Sequence, residues 1–234
     1  MSSASDPQLV GTALEEIRGV ALQCVACKLA QDRTNVVFGV GNPSTPMVLV
    51  GQSPGEQEDL SGEPFVGRAG QLLTDCLSDC GIKRKHIYIS NIVKCRPWVS
   101  TAAGRGRNRD PEDDEIRACR PWIEAELALI RPRVIVCLGA PSATLILGRA
   151  VAITKDRGKW FTEHPFRPAH VMPVLHPAYI LRQAGRPSYD ELKDQLTRDL
   201  DSARRMAARL LKEPRAAAEA DSETAQRSLF DEPS

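Results

Sequence analysis

An excess of charge is the first thing this sequence lacks. Its 31 Lys and Arg offset 30 Asp and Glu, leaving a formal net charge of +1 at pH 7. Bulk charge therefore singles out no class of partner. Nor does any apolar stretch approach the roughly 20 residues that a membrane-spanning helix requires. No basic-then-apolar leader opens the chain, so secretion is not expected. A soluble, intracellular protein with no membrane partner follows. No internal repeat is visible. A disulfide framework is also unexpected, because seven cysteines is an odd number; thiols kept reduced or bound to metal suit that count better.

What is present has a clear rhythm. The chain is long enough for one domain with appendages. Residues 47–50 read as a buried strand, and residues 51–70, rich in Gly and Pro, as a loop too long for a simple turn. Gln71, Leu72 and Leu73 then open a helix. Open α/β sheets place their ligands where a strand gives way to such a loop and helix.

Upstream, residues 9–22 read as a helix leading into Cys24-Val25-Ala26-Cys27, and residues 42–46 as a turn. Downstream come a helix at 72–80 closed by Gly81 and a strand at 87–93. A polar loop at 99–111 follows. A helix capped by Asp110, with Pro111 first and acids in its opening turn, runs to about Ile130. Further strands are expected at 134–138 and 171–175, the latter near a sheet edge because it contains Pro173. A short helix at 142–147 and an irregular stretch at 150–170, with a hairpin near Arg157-Gly158, separate them. A long amphipathic helix at 189–211 ends the series. Alternating strands and helices imply a three-layer α/β/α fold with a central four-stranded, mainly parallel sheet. Residues 1–213 form this domain. Residues 214–234, dominated by Ala, Glu, Ser and Asp, read as a disordered tail.

Polar residues stand at three of the four strand ends: Gln52 and Ser53, Asn91, and His176. In a parallel sheet those ends share one rim, so the groups converge. An amide, an imidazole and a backbone-rich loop carrying Phe65 suit a nucleobase, with the ring stacking and Asn91 presenting a donor and an acceptor to the base edge. The cysteines form a second constellation. Cys24 and Cys27 are closely spaced, Cys95 follows a strand, and Cys119 lies in a helix. Zinc and an iron–sulfur cluster both fit these four, and spacing does not choose between them. Cys76, Cys80 and Cys137 fall within helix or strand patterns and read as small apolar core residues.

Five motifs then occur in order: Gly51-x-x-Pro54-Gly55-x-x-Glu58-Asp59, Gly62-x-Pro64-Phe65-Val66-Gly67-x-Ala69-Gly70, Asn91-x-Val93-Lys94-Cys95-Arg96-Pro97, Asn108-Arg109-x-Pro111, and His176-Pro177. Together they resemble family-4 uracil-DNA glycosylases, the iron–sulfur branch of the uracil-DNA glycosylase superfamily. The resemblance runs from Cys24 to the last helix. It implies a [4Fe–4S] cluster on Cys24, Cys27, Cys95 and Cys119. It also implies repair of uracil-containing DNA by hydrolysis of the N-glycosidic bond of deoxyuridine. On this reading neutral His176 donates to uracil O2, backbone amides at Gln52 and Ser53 hold the base, Asn91 reads its edge and Phe65 stacks on it. The base must flip out of the stack, and Tyr179 and Ile180 are candidates to wedge into the gap. Arg105, Arg107 and Arg109 are candidate phosphate contacts. A monomer in a bacterial cytoplasm, close to the nucleoid, is the setting implied.

Two features depart from the family pattern. Gln52 stands where the family usually has Glu, and Ser53 where it has a small residue such as Ala. A carboxamide is no general base, so catalysis would rest mainly on leaving-group stabilisation. A weakly catalytic or non-catalytic DNA-binding protein, or altered lesion preference, is the alternative. The loop between Cys95 and Cys119 is also longer than usual. A related branch has a histidine there that bonds to the abasic product; the four histidines here are His86, His164, His170 and His176, so that route is excluded. In the tail, Gln226, Leu229 and Phe230 resemble the Gln-x-x-Leu-Phe peptide that docks bacterial proteins on the sliding clamp, an apolar anchor on a mobile tether.

Overall fold

A computed structural model describes residues 6–100 and 106–213 of the chain. Arg105 and the tail carrying Gln226, Leu229 and Phe230 lie outside the described residues. The strands are β1 (Val40–Gly41), β2 (Met47–Gly51), β3 (Tyr88–Asn91), β4 (Trp98–Val99), β5 (Arg107–Asn108), β6 (Val134–Leu138) and β7 (His170–Val174). The helices are α1 (Pro7–Ala21), α2 (Glu56–Ser61), α3 (Arg68–Asp79), α4 (Asp113–Ile130), α5 (Ala140–Leu147), α6 (Ile153–Asp156), α7 (Pro177–Leu181) and α8 (Ser188–Leu210).

The central sheet has the order β1-β3-β2-β6-β7. The four expected strands, β3, β2, β6 and β7, all run parallel. The sequence reading missed a fifth, β1, a two-residue strand antiparallel to β3, too short to show any alternation. Strand side chains alternate between faces, as period-two geometry requires. Met47 and Leu49 pack with α3 and α8 on one face, while Val48 and Val50 pack with α1, α4 and α5 on the other. Each of these strand residues is at most 3 % exposed, and burying such a side chain contributes about 1.5–3 kcal/mol. Pro173 sits in β7, which is indeed the sheet edge.

Local differences from the sequence reading have local causes. Residues 51–70 hold helix α2 and the start of α3 rather than a continuous loop. Glu58 makes this compact: its carboxylate accepts from the amides of Gly55, Val66 and Gly67 at 3.1, 3.0 and 2.8 Å. Asp59, which is buried, accepts from the amides of Thr34 and Asn35. Both acids are braces for the loop. Helix α4 is capped at Glu112, not Asp110, because the Glu115 carboxylate reaches back to the Glu112 amide at 2.8 Å. Trp98 and Val99 of β4 pair antiparallel with Asn108 and Arg107 of β5, a small ribbon in a stretch that reads as plain loop, and residues 153–156 form a helical turn.

One buried ion pair crosses the α4 face of the sheet. Lys94 and Glu126 are 1 % and 0 % exposed and lie 2.5 Å apart. The Lys94 ammonium also donates to Ser90 Oγ and to the Asn91 carbonyl. Glu126 further accepts from the Gly39 amide, the Tyr88 hydroxyl and Ser90 Oγ.

Candidate active site

The carboxyl ends of the parallel strands open onto a cleft of about 700 Å³, lined by Gln52, Ser53, Phe65, Asn91 and His176 among others. All five residues expected from the strand-end pattern and its loop therefore meet. Gly51 and Asn91 are paired across β2 and β3. A methyl group at Gly51 would come within 2.4 Å of Asn91 Oδ1 and 2.5 Å of the Phe65 ring, so the bare backbone lets both approach. Asn91 is 1 % exposed, and its buried Oδ1 has no hydrogen-bond partner among the described residues. Such an orphan is costly, on the order of 1–3 kcal/mol.

Phe65 holds a left-handed backbone, φ 55, which a bulky residue rarely adopts. Its neighbours impose it. Gly70 leaves room for the Phe65 carbonyl, which a Cβ there would meet at 1.8 Å, and the Arg84 guanidinium holds the preceding Pro64 carbonyl. The ring is buried, and its centroid lies 6.0 Å from the imidazole of His176.

His176 caps helix α7. Its Nδ1 accepts from the Ala178 amide at 3.0 Å, so the ring proton belongs on Nε2. Burial, assisted by the positive charge of Arg182, pulls its pKa down to about 4. The imidazole is therefore neutral near pH 7 and keeps one N–H donor. Gln52 donates from Nε2 to Asp110 Oδ1 at 3.2 Å, which brings the segment after β5 to the cleft wall.

The second constellation also converges. Cys24, Cys27, Cys95 and Cys119 line one pocket with Arg33, Lys94 and Trp122. Arg33 Nη1 lies 3.5 Å from Cys95 Sγ, and the Lys94 amide donates to Cys119 Sγ at 3.1 Å. Burial pushes the Cys119 thiol up to about 12 and raises those of Cys95 and Cys27, so a metal bound here displaces protons. The donor set, four sulfurs with N–H groups aimed at two of them, fits a thiolate-ligated group. The four thiols share the pocket without closing on one point: among the described residues, no group of three or more His, Cys, Asp or Glu is arranged to hold a metal ion. The remaining cysteines sit apart: Cys76 and Cys137 are buried in the core, and Cys80 is partly buried beside the Thr197 carbonyl.

The family model of the uracil DNA glycosylase superfamily matches residues 38–201. The chain belongs to that superfamily. It is 42% identical over 186 residues to the type-4 uracil-DNA glycosylase of Thermotoga maritima, covering 78% of this chain and 88% of that one. Identity to the type-4 enzyme of Archaeoglobus fulgidus is 39% over 183 residues, or 76% and 88% of the two chains. The crystal structure of Pedobacter heparinus SMUG2 is similar in fold, with a TM-score of 0.50 at 16% identity over 69% of this chain and 77% of that one.

Other expected site residues of this superfamily member divide. Tyr179 is 41% exposed, with the Arg182 guanidinium 5.9 Å from its ring. Ile180 is fully buried in the α3–α8 core, so the expectation that it wedges into DNA is wrong: one residue along a helix rotates the side chain by about 100°. Arg107 is exposed beside the cleft. Arg109 is not a free cation, because both its terminal nitrogens bind the buried carboxylate of Glu115, at 2.8 and 2.6 Å. The sequence reading missed Arg68, Asp110 and Arg182, which line the cleft. Arg68 opens α3 and Arg182 closes α7, so proximity to the glycine-rich and His176 motifs was the available signal.

Proposed function

We propose that this chain excises uracil from DNA, hydrolysing the bond between C1′ of deoxyuridine and N1 of the base and leaving an abasic site. The observation that carries the reading is the orphaned Oδ1 of Asn91 at the cleft shared with a neutral, N–H-bearing His176. Uracil supplies what each lacks. Its N3–H satisfies Asn91, whereas cytosine offers an acceptor at that position. Its O2 gains negative charge as the bond breaks, and the His176 Nε2–H donates to it. A donor already in place costs no reorganisation as that charge develops. A neutral ring also spares the enzyme a buried cation before substrate arrives. Phe65 stacks on the flipped base, which a stacked duplex would keep out of reach. Arg68, Arg107 and Arg182, exposed around the cleft, suit contacts with the DNA backbone, and Tyr179 extends that surface.

Cys24, Cys27, Cys95 and Cys119 would hold a [4Fe–4S] cluster. When bound, it cross-links the start of the domain to α4 and the segment after β3, a structural staple. In the tail, Gln226, Leu229 and Phe230 would tether the enzyme, as a monomer, to a sliding clamp at newly made DNA. A bacterial nucleoid-associated setting goes with that reading.

The test is excision from oligonucleotides carrying one uracil, single-stranded or opposite G or A, by the wild-type chain and by His176→Ala. The variant is expected to lose about 10²- to 10³-fold in rate, the usual effect of removing one transition-state donor. Retained DNA binding without any excision by the wild-type chain would instead make this a non-catalytic DNA-binding member of the superfamily.

A further inference from the structure

The Gln52–Asp110 contact bears on how the attacking water is held, and this inference rests on the proposed uracil excision. Among the described residues, three carboxylates line the cleft: Glu56, Glu58 and Asp110. Glu58 is consumed by three backbone amides. Glu56 faces Arg96, 3.6 Å away. Asp110 is directed at Gln52, with Oδ1 3.2 Å from Nε2.

A carboxylate only accepts hydrogen bonds, so this contact dictates which way the Gln52 amide faces. The NH₂ end goes to Asp110, and Oε1 takes the other side. Among the described residues, Gln52 Oε1 accepts no hydrogen bond. Asp110 itself is firmly mounted. The Arg109 guanidinium holds both the Asp110 carbonyl and the buried Glu115 carboxylate, and the Arg109 amide donates to the Pro97 carbonyl. Buried Pro111 follows directly.

We propose that Asp110 is a positioning residue: it locks the Gln52 carboxamide so that Oε1, not the NH₂ group, is offered to the water that attacks C1′. The water's oxygen bonds to C1′ as the C1′–N1 bond breaks with its electron pair leaving on uracil. Gln52 Oε1 accepts a hydrogen bond from that water and orients it, and the proton passes to solvent. An amide free to rotate would present its donor end half the time and hold the water the wrong way round. The acceptor that a glutamate would provide by charge is here provided by orientation, enforced from the ribbon.

The arrangement predicts a reversal of sign. Asp110→Asn releases the lock, because an asparagine can donate to Oε1 as readily as accept from Nε2. Single-turnover excision should fall by up to about 100-fold, the cost of a misoriented reactant, with affinity for uracil-free DNA unchanged. In Gln52→Glu, two carboxylates face each other across the same gap, and like charges so placed cannot both ionise freely. That variant should gain nothing over wild type. Adding Asp110→Asn to it should raise the rate at least tenfold, so the same substitution hurts in one background and helps in the other. A residue serving only to hold the fold would lower both.

The four proteins, each checked for unchanged thermal unfolding, are compared on one single-stranded uracil substrate. An Asp110→Asn effect of the same sign in both backgrounds, or none in wild type, overturns the inference and leaves uracil excision intact. Absence of excision by wild type overturns the proposed function and this inference with it.

Discussion

The two polar centres of this molecule are built on opposite terms. Around Lys94 and Glu126, every donor of the ammonium and both carboxylate oxygens are used within the chain. In the cleft, among the described residues, Asn91 Oδ1 has no partner and His176 is tied only through Nδ1. The two centres touch at one residue: the Asn91 carbonyl belongs to the ion pair and its side chain to the cleft. Satisfied burial makes a fixed support, and a buried acceptor facing the cleft is available to a donor on a ligand. The rigid half holds the expectant half in register, which is how a lone amide stays poised without collapsing onto a neighbour.

The comparison breaks most sharply at the ion pair. Lys94→Met leaves the Glu126 carboxylate buried with no counter-charge, and removing one partner of such a pair costs about 3–5 kcal/mol. Denaturant unfolding should show that loss. Lys94→Met with Glu126→Leu should recover most of it, since an apolar pair of similar volume is often neutral. A single variant as stable as wild type would show that water reaches this pair.

Asn91→Leu tests the other half and should move stability the opposite way. It replaces an orphaned acceptor by carbon of similar shape, so the free protein is expected to be as stable as wild type or more stable by about 1 kcal/mol. Uracil excision should nevertheless fall about a hundredfold, because a site that reads a polar edge loses its discrimination with that contact. Parallel loss of stability and activity would mean Asn91 serves the fold, and the division between the two centres would be wrong.

The sequence shows the cleft better than it shows the support. Strand ends in a parallel sheet share a rim, so Gln52, Asn91 and His176 could be gathered by topology alone, and Phe65 by its motif. Lys94 and Glu126 could not: a lysine after a strand and a glutamate in an amphipathic helix both read as solvent-facing, and only the packing of α4 on β3 buries them together. Arg109 misled for the same reason, since a basic residue in a polar loop looks free until Glu115 is found beneath it. Tyr179 and Ile180 differ by one position on a five-residue helix, whose brevity leaves no periodicity to say which of them faces the core. The loop at 51–70 hid two helical segments because its organiser is one side chain, Glu58, bonding to backbone up to nine residues away.

The mildest probe of the comparison is pH. Nδ1 of His176 is an acceptor for the Ala178 amide, and burial, then the charge of Arg182, holds the pKa at about 4. Excision should therefore show no break from His176 between about pH 5 and 8, and should fall as the ring protonates near 4. Stability moves with the same sign. The unfolded chain's histidine takes up a proton near 6.5, while the folded ring waits until about 4. As pH drops through that window the unfolded state binds protons first, and this residue's contribution to stability is lost. Arg182→Ala removes the smaller of the two causes, so the fall should begin at slightly higher pH and still below 6.5. A wild-type break between 6 and 7 that disappears in His176→Ala would mean the ring titrates as in water. The cleft would then be as wet as the surface, and the dry, waiting donor on which the comparison depends would not exist.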